Sequence, residues 1–464
     1  MLQVYDSLTR KKQLFRPIEA GKISMYVCGM TVYGDCHIGH ARSMVVFDVI
    51  ARYLRALEYD VIFVRNITDI EDKIIRRAHE NGESVQALTD RMIAELHRDE
   101  RALGVLPPDI EPRATEAMPQ IITMIERLVA SGYAYFQPGG DVYYEVKRFH
   151  DYGKLSGRDA EQEMAGARVA VDENKRSPND FVLWKQSKPG EPQWDSPWGT
   201  GRPGWHIECS AMSTHFLGDH FDIHGGGVDL KFPHHENEIA QSEAATGKPF
   251  ANYWLHNGMI TVDGKKMAKS EGNFHTITEV LEGHKPEAVR YFFLTSHYAS
   301  PLDYSEKGIR NAAESLTRLY LSLRGLDVPS VPLSAVQTNP HVQRFCELMN
   351  DDFNTPGVLA VMFDLARDLN KEKAAGKPVP EFARALKAVG AVLGLLQAQP
   401  EEFLRQDSSR DHALDDAAVE RLIEQRNAAR KDKDFARADA IRAQLSDSGV
   451  VLEDKPGKTL WRRQ

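Results

Sequence analysis

The feature that most restricts the fold is a repeated switch of hydrophobic period near the amino end. Residues 23–28, ISMYVC, are a continuous apolar run of strand length, and ARSMVVFDVIARYLRAL from Ala41 is apolar at helical spacing. VIFVRNITD at 61–69 is strand-like again, and EDKIIRRAHENG returns to helix. Apolar strands separated by helices predict a parallel α/β sheet covered on both faces. Ligands of such sheets bind beyond the carboxyl ends of the strands, where Cys28 and Thr68 fall.

From about Arg113 the pattern changes. MPQIITMIERLVASGY is an amphipathic helix, DVYYEV is strand-like, and KPGEPQWDSPWGTGRPGW is rich in Gly, Pro and Trp, so this stretch reads as an insertion that interrupts the sheet. Strand character resumes at HFDIHGGG, and Pro233 suits the first turn of a helix PHHENEIAQSEAA. After KKMAKS the chain is mostly helical, and the polar stretch RQDSSRDHALDD marks a boundary near residue 405 before a small basic end. A length of 464 residues implies two to four domains.

Four cysteines in a chain of this size do not make a disulfide framework, so cysteines that cluster are read as metal-binding or catalytic. The longest apolar run, VGAVLGLL, is too short to span a bilayer, and the first twenty residues lack the apolar core of a signal peptide, so a cytoplasmic, membrane-free protein is expected. With a net charge of -9, a nucleic-acid partner would have to be met by a local basic patch.

Two familiar patterns lack their context. GTGRPG (199–204) does not follow a strand, HGGG (224–227) has no G-x-S-x-G to supply a nucleophile, and both are expected to be tight backbone turns. No P-loop sequence is present. HIGH, residues 37–40, is different, because it falls where a strand gives way to a helix. A helix N-terminus presents free N–H groups and a positive dipole end, and His37 and His40 would add side-chain donors at the same spot, the outline of a polyphosphate site. Downstream, GKKMAKS places Lys265, Lys266 and Lys269 on a mobile loop. Phosphoryl and nucleotidyl transfers need positive charge where the transition state gathers negative charge, which a lysine loop closing over a histidine-lined helix end provides.

HIGH after the first strand, a Lys-Met-x-Lys-Ser loop and an insertion between two halves of a parallel sheet resemble a class I aminoacyl-tRNA synthetase. YVCGMTVY, RNITDIEDKI, GRPGWHIECSAM, FDIHGGGVDLKFPHHENEIAQSE and LEDKPGKTLWRR narrow the resemblance to the cysteinyl-tRNA synthetase family, over essentially the whole chain. The resemblance implies a Rossmann-like parallel-sheet catalytic domain in two halves (1–112 and 204–250) around a connective insertion (113–203). A region of the lysine loop and stem contact (251–310), a helical bundle (311–404) and a C-terminal anticodon-binding unit (405–464) would follow. It further implies a monomer that activates L-cysteine with ATP and Mg²⁺ and transfers it to tRNA(Cys). By the same resemblance His37, Gly39, His40, Lys266 and Lys269 serve ATP and the reaction, while Cys28, Gly29, Thr68, Trp205 and His234 surround the cysteine. Ala268 stands where the family's loop has serine.

Cys28, Cys209, His234 and Glu238 resemble the family's zinc site, one Zn²⁺ per chain. The residues agree: His234 and Glu238 share one helix face at i and i+4, Cys28 ends a strand beside HIGH, and the mixed hard and soft donors suit zinc. Zinc would separate cysteine from serine through thiol acidity and softness, which a hydroxyl lacks. Cys36 and Cys346 are expected to be packing residues, and His206, His224 and His235 to neighbour the ligands or the substrate. The terminal RLIEQRNAARKDKDFARADAIRAQL reads as a basic helix pair, with Trp461 available to stack on bases. A related ligase that joins cysteine to an amino sugar would lack this unit, and a non-enzymatic tRNA-binding paralogue would show eroded signatures.

Overall fold

The computed structural model describes residues 1–137, 140–158, 175–267, 272–406, 414–455 and 457–463. Lys269 and Ala268 lie outside the described residues, as does most of the polar stretch that begins at 405. Two compact units are present. The first comprises Met1–Phe274, Ser296–Asp303 and Cys346–Thr355, and the second His275–Thr295, Tyr304–Phe345 and Pro356–Gln464. Residues 251–310, expected as one region, are thus shared between the two.

The first unit is built on four parallel strands: β1 (Lys22–Thr31), β2 (Asp60–Thr68), β3 (Phe221–Gly227) and β4 (Ala251–Asn257), in the order β4-β3-β1-β2. The order reverses at β1, because the chain crosses to β2 on one side and later returns to β3 on the other. That reversal opens a crevice at the carboxyl end of β1, where open α/β sheets take their ligands. Helix α1 (Ile38–Ala56) makes the first crossover, and its run of buried residues from Met44 to Ala51 explains why it packs inside. Between β2 and α2 (Trp205–Leu217), a helix at Met118–Ala130 leads into an antiparallel sheet of Ala134–Phe136, Val142–Tyr144, Phe181–Gln186 and Gly201–Pro203. These elements stand in sequence between the second and third strands of the parallel sheet.

HGGG corrects one expectation. It lies within β3 and is not a turn. A Cβ on Gly225 would come within 2.4 Å of the Phe47 ring, and one on Gly226 within 2.8 Å of the His235 ring, so these glycines let aromatic rings close onto the strand. GTGRPG likewise contains the short strand Gly201–Pro203, paired with Trp184, Lys185 and Gln186.

The second unit is helical, with Pro286–Leu294, Glu306–Leu323 and Pro380–Leu393 among its helices. Its last part is the expected basic helix pair, Asp416–Lys431 and Phe435–Asp447, followed by the hairpin Val450–Lys455 and Lys458–Arg463. Val419, Ile423, Ile441, Leu445, Val450 and Trp461 form its core. Arg324, buried at the end of the Glu306–Leu323 helix, donates to both Glu401 oxygens at 2.6 and 2.8 Å and to the Trp461 carbonyl at 2.9 Å, tying this part to the bundle.

Candidate active site and metal-binding cluster

Helix α1, expected from Ala41, begins at Ile38 because His37 caps it. His37 Nδ1 accepts from the Gly39 and His40 N–H groups at 3.1 and 3.3 Å, and His40 Nδ1 accepts from the His37 N–H at 3.3 Å. The N–H groups of Gly39 and His40, expected to be free for phosphate, are therefore taken by an imidazole. The same bonds fix both tautomers, since a ring nitrogen that accepts leaves the proton on Nε2. Each neutral ring thus carries its proton on Nε2. Burial, helped by the neighbouring His37, pushes His40 well below the ordinary histidine value.

His37, Gly39 and His40 line a cavity of about 360 Å³ that Cys28, Gly29, Trp205 and Lys266 also line. Seven of the candidate residues therefore meet in one space of small-ligand size. Lys266 is exposed and sits in the short strand Lys265–Lys266, antiparallel to Ile260–Val262, so the first part of the expected lysine loop is a hairpin. Thr68 departs from expectation. It is buried, donates to Glu208 Oε2 at 3.1 Å and does not line the cavity; its register partner Thr31 does. A register shift between Val27 and Met30 accompanies this change.

Behind Cys28 lies the cluster. Ligand atoms of Cys28, Cys209, His234 and Glu238 all fall within 4.8 Å of one another, and all four residues are buried. A second combination with His224 and His235 shares Cys28 and Glu238. Helix α3 (His234–Thr246) positions His234 and Glu238, and α2 supplies Cys209. Residues His234 to Ser242 are all buried although mostly polar, so their groups must find partners inside. Glu238 Oε1 is 3.0 Å from His234 Nε2 and 3.3 Å from the Cys28 thiol, and Oε2 is 2.8 Å from His224 Nε2. Burial works against the Glu238 carboxylate, but His224 and His234 outweigh it and hold Glu238 below the ordinary value. Burial also raises both thiols and lowers His234 to about 3. The cluster is thus an ionised carboxylate among neutral soft and borderline donors, with no Lys or Arg paired to it among the described residues. That donor set fits a divalent cation of zinc character.

Around the cluster, His206 Nδ1 is 2.8 Å from His234 Nδ1, and His235 Nδ1 is 2.9 Å from His256 Nε2. Trp205 stacks on His234 with ring centroids 4.2 Å apart. Asn66 was not anticipated from sequence. Its Oδ1 accepts from the Gly29 N–H at 2.9 Å and lies 3.7 Å from the Cys209 thiol, joining the cavity wall to the cluster. Only its place at the carboxyl end of a strand could have marked it.

Trp461 does not serve the role expected of it. It is 1% exposed, donates from Nε1 to Glu420 at 2.8 Å and has the Arg405 and Arg463 guanidinium groups 4.8 and 5.6 Å from its ring centroid. The exposed aromatic of this region is Phe435, 62% exposed, with Lys431, Lys433 and Arg437 exposed nearby in the chain.

The comparisons with known proteins follow the same lines. The family model of the tRNA synthetase class I (C) catalytic domain matches residues 14–314, the DALR domain 344–397, and the cysteinyl-tRNA ligase anticodon binding domain 413–462. Mycobacterium tuberculosis methionyl-tRNA synthetase in complex with methionyl-adenylate shares the fold, with a TM-score of 0.57 at 15% identity, over 82% of this chain and 93% of that one. Fold and family match together define a class I aminoacyl-tRNA synthetase. The cysteine–tRNA ligases of Thioalkalivibrio sulfidiphilus and Alkalilimnicola ehrlichii are 60% and 58% identical to it, each over 100% of both chains. The chain belongs to the cysteine–tRNA ligase family.

Proposed function

We propose that this chain activates L-cysteine with ATP and Mg²⁺ and transfers it to tRNA(Cys), and that Cys28, Cys209, His234 and Glu238 hold one zinc ion that selects the thiol. The observation that carries the reading is the junction at Cys28, which lines the nucleotide-sized cavity and belongs to the metal-binding cluster. Zinc bound there would favour a thiolate over a hydroxyl and so prefer cysteine to serine. Trp205, stacked on His234, forms the cavity wall beside this point, and Asn66 fixes the Gly29 backbone.

In the first step a cysteine carboxylate oxygen bonds to the α-phosphorus of ATP and the bond to pyrophosphate breaks. The carboxylate is already ionised, so no base is required. The Nε2–H groups of His37 and His40 donate to phosphate oxygens, and Lys266 adds charge from the hairpin. Lys269 is proposed for the same task on the strength of the sequence motif. In the second step a terminal ribose hydroxyl of the tRNA attacks the activated carbonyl and AMP leaves.

The match of residues 413–462 to an anticodon-binding domain supports tRNA as acceptor and weighs against an amino sugar. The protein is proposed to act as a monomer in the cytoplasm; among the described residues no helix is long and apolar enough to cross a membrane. Cysteine-dependent exchange of pyrophosphate into ATP, followed by charging of tRNA(Cys), tests the reading. Exchange without charging would remove tRNA as the acceptor, and absence of both would remove the activity.

A further inference from the structure

Arg42 follows the two signature histidines on α1 and is 0% exposed. Among the described residues its guanidinium meets only backbone carbonyls: NH1 donates to Gly258 and Met259 at 2.9 and 3.0 Å, and NH2 to His297, Tyr298 and Ser300 at 3.2, 3.4 and 2.5 Å. No carboxylate is paired with it among the described residues. A buried cation without a counter-ion is costly, and burial alone pulls its value down to about 10. Such a side chain is kept for what its geometry does, since a planar fork can hold two backbone segments at once where an ammonium cannot.

The two segments it holds lead to the lysine hairpin. Gly258 and Met259 line the cavity and run directly into Ile260–Val262, the first strand of the hairpin that carries Lys266. The 297–303 segment lies alongside: Gly258 N–H donates to the Tyr298 carbonyl at 2.8 Å and Leu302 N–H to the Met259 carbonyl at 3.0 Å. Asp303 Oδ1 then grips the hairpin itself, accepting from Thr261 Oγ1 at 2.7 Å and from the Gly264 N–H at 2.8 Å.

We propose that Arg42 is a positioning residue for adenylate formation, pinning the root of the lysine hairpin to the helix that carries His37 and His40 and so fixing the spacing of the imidazoles and Lys266 across the cavity. This rests on the proposed roles of those three residues. Arg42 is buried and does not line the cavity. It acts through Gly258 and Met259, and its loss is felt where charge develops, with the cysteine end of the cavity left intact.

The test uses full-length Arg42→Lys and Arg42→Gln together with Asp303→Ala, which frees the hairpin at its exposed side and leaves the buried carbonyls paired. Thermal melting, KM for cysteine, KM for ATP and kcat of cysteine-dependent pyrophosphate exchange are measured for each. Arg42→Lys is expected to keep KM for cysteine within about twofold while kcat falls by on the order of 100-fold, the scale of an ångström's misplacement of reacting groups. Arg42→Gln should do the same, and Asp303→Ala should give a smaller loss confined to kcat and the ATP term. Wild-type kcat in a folded Arg42→Lys protein overturns the proposal, as does a matching loss of cysteine affinity. Should neither Arg42 variant fold, Asp303→Ala decides, and an unchanged kcat in it overturns the proposal. If exchange is absent from the wild-type chain as well, it is the proposed activity that has failed and not the pin.

Discussion

His37 and His40 lie face to face, their ring centroids 3.6 Å apart with 20° between the planes. The glycine between them permits this, since a Cβ on Gly39 would come within 2.9 Å of two His37 ring atoms. Gly39→Ala should therefore displace the His37 ring while leaving the helix in place. Cysteine-dependent exchange is expected to fall at least about tenfold, equivalent to about 1.4 kcal/mol in the barrier, with the melting temperature lowered only by the roughly 1 kcal/mol that a weakened helix cap costs. Wild-type exchange in this variant would show that the stacked pair does not serve the reaction.

The terminal unit should read tRNA through Phe435 and not Trp461. Stacking on an aromatic ring is worth roughly 1–3 kcal/mol per base, so Phe435→Ala should raise KM for tRNA by about tenfold or more and leave pyrophosphate exchange untouched. Trp461→Ala removes a core side chain and should destabilise the unit by roughly 3–5 kcal/mol. Steady-state charging kinetics beside a denaturation curve separate the two. A tRNA effect from Trp461→Ala in a fully stable protein would reverse the assignment.

Much of this was legible in the chain because the chemistry is concentrated. HIGH and the His234–Glu238 pair carry their meaning in spacing and residue type, Cys28 and Cys209 are marked by the family resemblance and not by spacing, and the structure joins the two groups at Cys28. Thr68 and Trp461 show where spacing fails. Thr31 and Thr68 are register partners at neighbouring strand ends, and nothing in their spacing tells which of them lines the cavity and which is bonded to Glu208. The strand KTLWRR gives no sign that its tryptophan is sealed against the helix pair. His37 as a cap and Arg42 as a pin were illegible for another reason: His is not a customary cap, and the carbonyls that Arg42 holds are more than 200 positions away and belong to no side-chain pattern.

Glu287 gives the second unit a pH dependence. Burial lifts its carboxyl from 4.5 to about 7, against the opposing hydrogen bonds from Tyr320 at 2.7 Å and from the Leu396 N–H. Between these values the folded chain keeps a proton that the unfolded chain releases, so stability is greatest on the acid side and falls as pH rises towards 7. At about 1.4 kcal/mol per unit the effect is at most roughly 3 kcal/mol. Melting temperatures of wild type and Glu287→Gln at about pH 5 and about pH 8 check it. The difference should move in favour of the variant as pH rises, and a constant difference would mean that the carboxyl is ionised throughout.

Selection of cysteine by its thiol is assigned to a zinc ion held by Cys28, Cys209, His234 and Glu238. Pyrophosphate exchange driven by cysteine and by serine, in protein as isolated, stripped of metal and reloaded with zinc, tests it most directly. One zinc per chain as isolated is expected, with a preference for cysteine of about 10⁴ or more, the scale that an obligatory specific contact can supply. Cysteine activation should be lost on stripping and recovered with zinc in the wild type but not in Cys209→Ala. Metal-free protein that activates cysteine and rejects serine as well as the zinc-loaded protein does would contradict the assignment.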